Sequence, residues 1–307
     1  MSAGGGTRAI VAALAANAGI ALAKFGGFLF TGSSSMLAES VHSLADTSNQ
    51  GLLLLGQKTS KRKADEEHPF GYGRDRYFYS FVVALMLFTL GSVFALYEGV
   101  HKIGHPEPLD SAWVAVIILL IAIGLESYSF RTAIQESRAI KGDLSWWQFI
   151  RQSKTPELPV VLLEDLGALV GLVLALGGVG LTLLTGNAVF DGIGTVCIGV
   201  LMGVIAVVLI VETKSLLIGE GANREVLDHI IGELESERVE RVIHIRTQYL
   251  GPDELLIAAK IGLAPSLSVA EVAAEIDGAE QRIRGKVPAA RLIYLEPDLD
   301  RGRATTT

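Results

Sequence analysis

The stretch Ser34 to Gly56, SSMLAESVHSLADTSNQGLLLLG, sets His42 and Asp46 inside an otherwise membrane-compatible helical run. Residues four apart share a helix face, so this imidazole and carboxylate point the same way and can close on one small cation. Glu39 lies on the same stripe. A charged group at the centre of a bilayer costs roughly 2.5–3.5 kcal/mol on insertion scales, so titratable groups gathered on one face point to an ion path. A second run, LPVVLLEDLGALVGLVLALGG, is interrupted by the adjacent acids Glu164 and Asp165. Borderline cations such as Zn²⁺ take imidazole and carboxylate ligands, usually four in a tetrahedron. Asp165 is the natural third ligand. Glu164 points about 100° away around the helix; it is open to three roles, as a fourth ligand, a support for a ligand, or a proton acceptor. Lys24 is the one mid-span cation with which these acids could pair instead.

Such residues need helices to carry them across a membrane. Mean hydropathy is +0.43 and half the residues are hydrophobic, but the apolar runs fill the first two thirds of the chain. Six segments can each span about 30 Å of hydrocarbon: Ile10–Phe30, Met36–Leu55, Tyr77–Val100, Ala112–Arg131, Leu158–Leu184 and Ala188–Val211. The first is read as an uncleaved span. Lys and Arg concentrate in the connections from Lys58 to Arg76 and from Arg131 to Lys154, which places those loops and both termini in the cytoplasm. Trp146 and Trp147, among charged residues, suit either a segment at the membrane interface or an aromatic pair folded under the helices. After Lys214 the hydropathy falls. A helix capped by Asn223, strands at Val239–Tyr249 and Glu254–Leu263, a helix capped by Ser268 and a strand at Arg291–Leu295 describe a small α+β domain. The expected organisation is a transmembrane domain over 8–213, a cytoplasmic domain over 214–300 and a disordered tail over 301–307. The net charge of −7, with its acids concentrated after Glu220, points away from nucleic acid. Cys197, the single cysteine, supports neither a disulfide nor a cysteine metal cluster. His101, His105 and His229 read as surface residues.

With these residues in place, the chain resembles the cation diffusion facilitator family of proton-coupled divalent metal exporters. The family's second-span motif, His or Asp followed four residues later by Asp, falls on His42 and Asp46 in SVHSLADTSNQ. The segment HPFGYGRDRY, His68 to Tyr77, is similar to the family's entry to the third span. LLED at Leu162–Asp165 resembles the branch containing the mitochondrial zinc transporter nine of animals. The resemblance implies an all-α six-helix transmembrane domain followed by a ferredoxin-like αββαβ cytoplasmic domain, working as a homodimer. It implies His42, Asp46 and Asp165 as metal ligands, with Glu164 beside them. Three departures are visible. Val161 stands where zinc-exporting relatives carry a fifth-span ligand. In the loop before the third span Asp65 and His68 match a second metal site, but Tyr72 replaces a histidine. In the soluble domain His244 and Glu296 fall near metal-binding positions, yet Lys260 and Tyr294 occupy places where histidines are needed. The resemblance also gives Arg74 a partner just after the sixth span, where Ile218 stands and Glu220 is the nearest acid.

The expected function is export of a divalent cation, most readily Zn²⁺, from the cytoplasm across the cell inner (plasma) membrane against proton flow. The expected partners are the metal ion, protons, the lipid bilayer and a second copy of the chain, and no cofactor or enzymatic activity is expected. Two alternatives stay open: a membrane-anchored metal sensor or scaffold, and the same transporter selective for Fe²⁺, Co²⁺ or Mn²⁺. An intramembrane hydrolase is disfavoured, because no motif such as His-Glu-x-x-His supplies a zinc-bound water and a base.

Overall fold

The computed structural model describes residues 7–31, 34–106 and 112–299; the side chains of residues 27, 28, 30, 31, 34–42, 45 and 112 lie outside the description, as does the tail 301–307. The chain divides into two compact units, Met1–Thr59 with Asp75–Lys214, and Ser60–Arg74 with Ser215–Thr307.

The first unit is helical, as long apolar runs must be where no water is present to satisfy the backbone. Its helices are α1 (Thr7–Thr31), α2 (Ser34–Thr59), α3 (Asp75–Met86), α4 (Phe94–Gly104), α5 (Ala112–Lys141), α6 (Trp146–Gln152), α7 (Glu157–Thr185) and α8 (Val189–Ile218). Among the described residues five helices are long and apolar enough to cross a membrane: Thr7–Gly26, Asp75–Gly104, Trp113–Lys141, Glu157–Thr185 and Val189–Ile218. Six such helices are expected from the sequence. The 26-residue α2 has the length, and much of its first half lies outside the described residues.

Two details depart from the sequence reading. α3 and α4 are joined through a π-helical turn at Leu87–Val93, and from it Ser92 donates through Oγ to the Gly199 carbonyl at 2.8 Å. Such single π turns reset the helix face that follows. α5 runs ten residues past Arg131, because its continuation TAIQESRAIK still buries Ala133 and Ser137. The short α6 is held by a reciprocal capping box between Ser145 and Gln148. It buries Phe149 and Ile150 and leaves Trp146 and Trp147 outside. α1 packs on α2 and α5, and α5 packs on α7. One core joins Leu53, Val83, Leu87, Phe149, Leu158, Val161 and Leu209. At Gly167 a Cβ would come within 2.7 Å of Ile205 Cδ1, so its absence lets α7 and α8 approach just beyond the acidic pair.

The second unit follows the order α9 (Arg224–Leu234), β1 (Val239–Gly251), β2 (Glu254–Leu263), α10 (Val269–Lys286), β3 (Ala290–Asp298). Asn223 and Ser268 cap the two helices through their side chains. The sheet order is β1-β2-β3. The first pair is antiparallel and the second parallel, and α10 supplies the crossover that a parallel pair requires. Ile230, Leu234, Ile257, Ile261 and Ile283 form its core. The Ser60–Arg74 segment belongs to this unit. A Cβ on Gly73 would lie 2.6 Å from the Leu250 carbonyl and 3.1 Å from Gly251 Cα, so only glycine allows this approach.

Candidate metal centre

Glu164 and Asp165 are 5% and 1% exposed on α7. Being consecutive, they turn to different neighbours. Asp165 faces α5, where Ser129 donates through Oγ to its Oδ2 at 2.7 Å. Glu164 faces α2, where Gln50 Nε2 donates to Oε2 at 2.9 Å and Asn49 Nδ2 to Oε1 at 3.4 Å. Asn49 and Gln50 lie three and four residues after Asp46, so one face of α2 presents a carboxylate and then two amides. Asp46 is half-buried and within electrostatic reach of Glu164. The amide oxygens Asn49 Oδ1 and Gln50 Oε1 are buried and unpaired. Amide carbonyls are cation ligands of the hard type.

The structure adds an acid that the sequence reading did not single out. Glu126 on α5 is 3% exposed and within electrostatic reach of Asp165, Asp46 and Lys24. It lies three residues before Ser129, on the same face of α5. A lone glutamate in the run LLIAIGLESYSF was the available signal. Lys24 on α1 donates through Nζ to Ser43 Oγ at 3.0 Å. Thus α1, α2, α5 and α7 converge on one polar centre. His42 lies on α2, but its side chain is outside the described residues. Among the described residues no three His, Cys, Asp or Glu side chains close to metal-holding distance. Glu164 and Asp165 are engaged instead by hydrogen bonds to two different neighbours of α7, α2 and α5. Val161, at the position of the missing fifth-span ligand, is fully buried in the apolar core.

The cation efflux transmembrane domain matches residues 10–218. The chain belongs to the cation efflux family. This is a family of transporters and not of enzymes, and it is the family that the His42–Asp46 and HPFGYGRDRY motifs resemble. Among the relatives of this cation efflux protein, the proton-coupled zinc antiporter SLC30A9, mitochondrial, of Xenopus laevis is 36% identical over 242 residues, 78% of this chain and 43% of the relative. The Homo sapiens protein of that name is 33% identical over 241 residues, 78% of this chain and 42% of the relative. The cation-efflux pump FieF of Klebsiella pneumoniae is 34% identical over 148 residues, 46% of this chain and 49% of the relative. This chain therefore spans less than half the length of the SLC30A9 relatives and lies near their branch. A solved MamM CTD in its nickel form overlays with a TM-score of 0.24 at 20% identity, over 26% of this chain and 100% of that chain. The expected plasma-membrane location is corrected by the SLC30A9 relatives, whose names place them in mitochondria.

Elsewhere in this cation efflux protein the departures from the metal-binding pattern have a structural reason. In the loop before α3, Asp65 accepts from the Tyr72 hydroxyl at 2.6 Å and from the His68 backbone N–H at 2.8 Å. These bonds hold its carboxyl below the usual range, the tyrosine contributing most. The His68 ring lies 4.4 Å from that of Tyr72, and the Arg62 guanidinium caps the tyrosine at 4.0 Å. Asp65 and His68 are adjacent, and the neighbours of the Asp65 carboxylate include the Tyr72 hydroxyl and the Arg62 guanidinium. In the soluble unit His244, Lys260 and Glu296 form one row across the three strands. The Lys260 ammonium lies 2.8 Å from Glu296 and 3.3 Å from Asp298. Tyr294 is exposed.

For the expected Arg74–Glu220 pair, Arg74 Nε is buried and has no hydrogen-bond partner among the described residues. The basic residue that grips an acid is Arg76, which donates through Nε and Nη2 to Glu157 at 2.5 and 2.9 Å. Asp75 opens α3, so Arg76 sits in the first helical turn and Arg74 just outside it.

Proposed function

We propose that this chain is a secondary transporter that exports a divalent cation, most readily Zn²⁺, in exchange for protons, with His42, Asp46, Asp165 and Glu164 as its transport site. The observation that carries this reading is the placement of Glu164 and Asp165, nearly inaccessible in a membrane-crossing helix, beside Asp46 and Glu126. Burying several carboxylates is costly unless a cation joins them. The hydrogen bonds from Ser129, Asn49 and Gln50 orient the acids between visits of the ion. In this scheme the cation draws Glu164 and Asp165 away from those bonds toward His42 and Asp46. Imidazole releases its proton on binding metal, and an unperturbed imidazole changes charge near neutral pH. His42 is therefore the residue through which metal and proton exchange. The helices then rock about this site, as in secondary carriers generally.

The names of the SLC30A9 relatives support both the zinc substrate and the proton coupling. In this reading α2 is the sixth span, stabilised by its polar face toward α1 and α7, and the soluble unit is a ferredoxin-like domain that pairs two copies. Buried acids argue against the sensor or scaffold reading, since an anchor has no use for them. One observation favours a second reading, the same transporter acting on Mn²⁺ or Fe²⁺. The described donors are carboxylates, amides and a hydroxyl, an oxygen-rich set that suits harder cations. Uptake of Zn²⁺, Mn²⁺ and Fe²⁺ into liposomes under an imposed pH gradient tests both. No gradient-driven uptake of any of the three rejects transport, and Mn²⁺ or Fe²⁺ displacing Zn²⁺ in competition selects the second reading.

A further inference from the structure

We propose that His101 and His105 form a separate two-imidazole site for a borderline divalent cation at the end of α4. The two residues are four apart, so they share a helix face. Two histidines at this spacing are the arrangement by which a single helix holds zinc. Here the rings are stacked with centroids 4.9 Å apart and planes 25° apart. Tyr97 stacks on His101 one turn earlier, at 6.3 Å and 23°. Three rings thus run along one face, and both imidazoles are exposed at its end.

The local backbone keeps the pair together. His105 is the cap residue and has left helical geometry at φ −133° and ψ 74°, yet its N–H still donates to the His101 carbonyl at 2.8 Å. Pro106 follows and cannot continue the helix. The nearby cation is directed elsewhere, since Lys102 Nζ lies 3.0 Å from Asp191 on α8. The open groove beside the rings is lined by Leu96, Tyr97, Val100 and Gly104. The imidazole nitrogens are therefore its metal-binding atoms.

The pair is distinct from the buried acids. Arg76 and Glu157 join the first turns of α3 and α7. From that level Asp165 lies eight residues along α7, about 12 Å, and His101 lies 25 residues along α3 and α4, about 38 Å. Only two protein ligands leave the remaining coordination positions to water, so the ion exchanges readily. Imidazole donors favour Zn²⁺, Ni²⁺ and Cu²⁺ over Mn²⁺ or Mg²⁺.

The test uses the full chain in detergent, with Asp46→Ala and Asp165→Ala introduced to empty the buried site. Zn²⁺ titration of this variant should still show binding, and adding His101→Gln and His105→Gln together should remove one Zn²⁺ per chain. Either single glutamine substitution should weaken that binding at least tenfold. Cu²⁺ serves as a second probe: its electron paramagnetic resonance spectrum should show two coordinated imidazole nitrogens that vanish in the double glutamine variant. An unchanged Zn²⁺ stoichiometry after both histidines are replaced overturns the proposal, as does a Cu²⁺ spectrum indifferent to the substitution. Both readouts are of binding with the buried acids already replaced, so they stand or fall apart from transport.

Discussion

Acids gather in both units of this protein, and the two gatherings end differently. In the soluble unit Glu296 and Asp298 converge on the ammonium of Lys260. The cation that holds them is part of the chain. In the membrane unit Asp46, Glu126, Glu164 and Asp165 converge from α2, α5 and α7, and the cation within reach of Glu126, Lys24, belongs to α1. Carboxylates in low dielectric need a positive charge or hydrogen-bond donors. Where an ammonium of the chain touches the acids directly, as Lys260 does, their charge is already met. Where the chain supplies mainly serine and amide donors, the proposed transport site is held by bonds that an arriving ion can displace.

The largest effect expected from this contrast is at Asp165. Asp165→Ala should lower gradient-driven Zn²⁺ uptake in liposomes by more than about 100-fold, because it removes a proposed ligand and not a support for one. Normal uptake by this variant breaks the contrast outright. Glu126→Gln keeps the shape of the side chain and removes one carboxylate from the open cluster. It should weaken the apparent affinity for transported metal about 10–100-fold, the range found when the partner of a metal ligand is altered. Ser129→Ala should act in the same direction through Asp165. If Glu126→Gln left the apparent affinity unchanged, Glu126 would belong to the surroundings and not to the site.

The Arg76–Glu157 pair tests the same idea within the membrane unit, since here a buried acid does have its own cation. Glu157 is 1% exposed and bound by both arms of the guanidinium. Arg76→Ala should cost about 3–5 kcal/mol in unfolding experiments, the usual effect of stranding a buried charge. Arg76→Met with Glu157→Leu should recover most of it, as apolar replacements of buried pairs often do. A small loss in the single variant would mean that water reaches Glu157.

What could be read from sequence follows the same division. Asp46, Glu164 and Asp165 stand out because an acid in an apolar run is conspicuous. Glu126 escaped because it lies near the end of its run, where an acid reads as interfacial. Only the packing of α5 on α7 brings it to Asp165. The strands and caps of the soluble unit were visible through alternation and through Asn223 and Ser268. The π turn at Leu87–Val93 leaves no mark in composition. The difference between Arg74 and Arg76 depends on which residue begins α3, and helix ends are the least determined feature of a sequence.

The smallest effect is expected where the cluster is closed. Lys260 is held above its ordinary value of 10.5, first by its hydrogen bond to Glu296 and then by that to Asp298. A raised folded value means that the ammonium contributes stability fully below that ordinary value and loses it as pH rises through the folded one. Lys260→Gln should therefore lower the melting temperature slightly at neutral pH, and the difference from wild type should vanish in strong alkali. The same substitution leaves Glu296 and Asp298 on β3 without their internal cation, with His244 in the same row on β1, across β2 from them. Carboxylates and an imidazole that can reach one another over position 260 are a ligand set for a borderline cation. The variant should bind more Zn²⁺ than wild type, measured by titration with Asp46→Ala and Asp165→Ala present in both proteins. Lysine is then the element that closes the cluster. If Lys260→Gln gained no Zn²⁺, the acids of the soluble unit would be too far apart to hold metal, and the contrast would rest on geometry in place of charge.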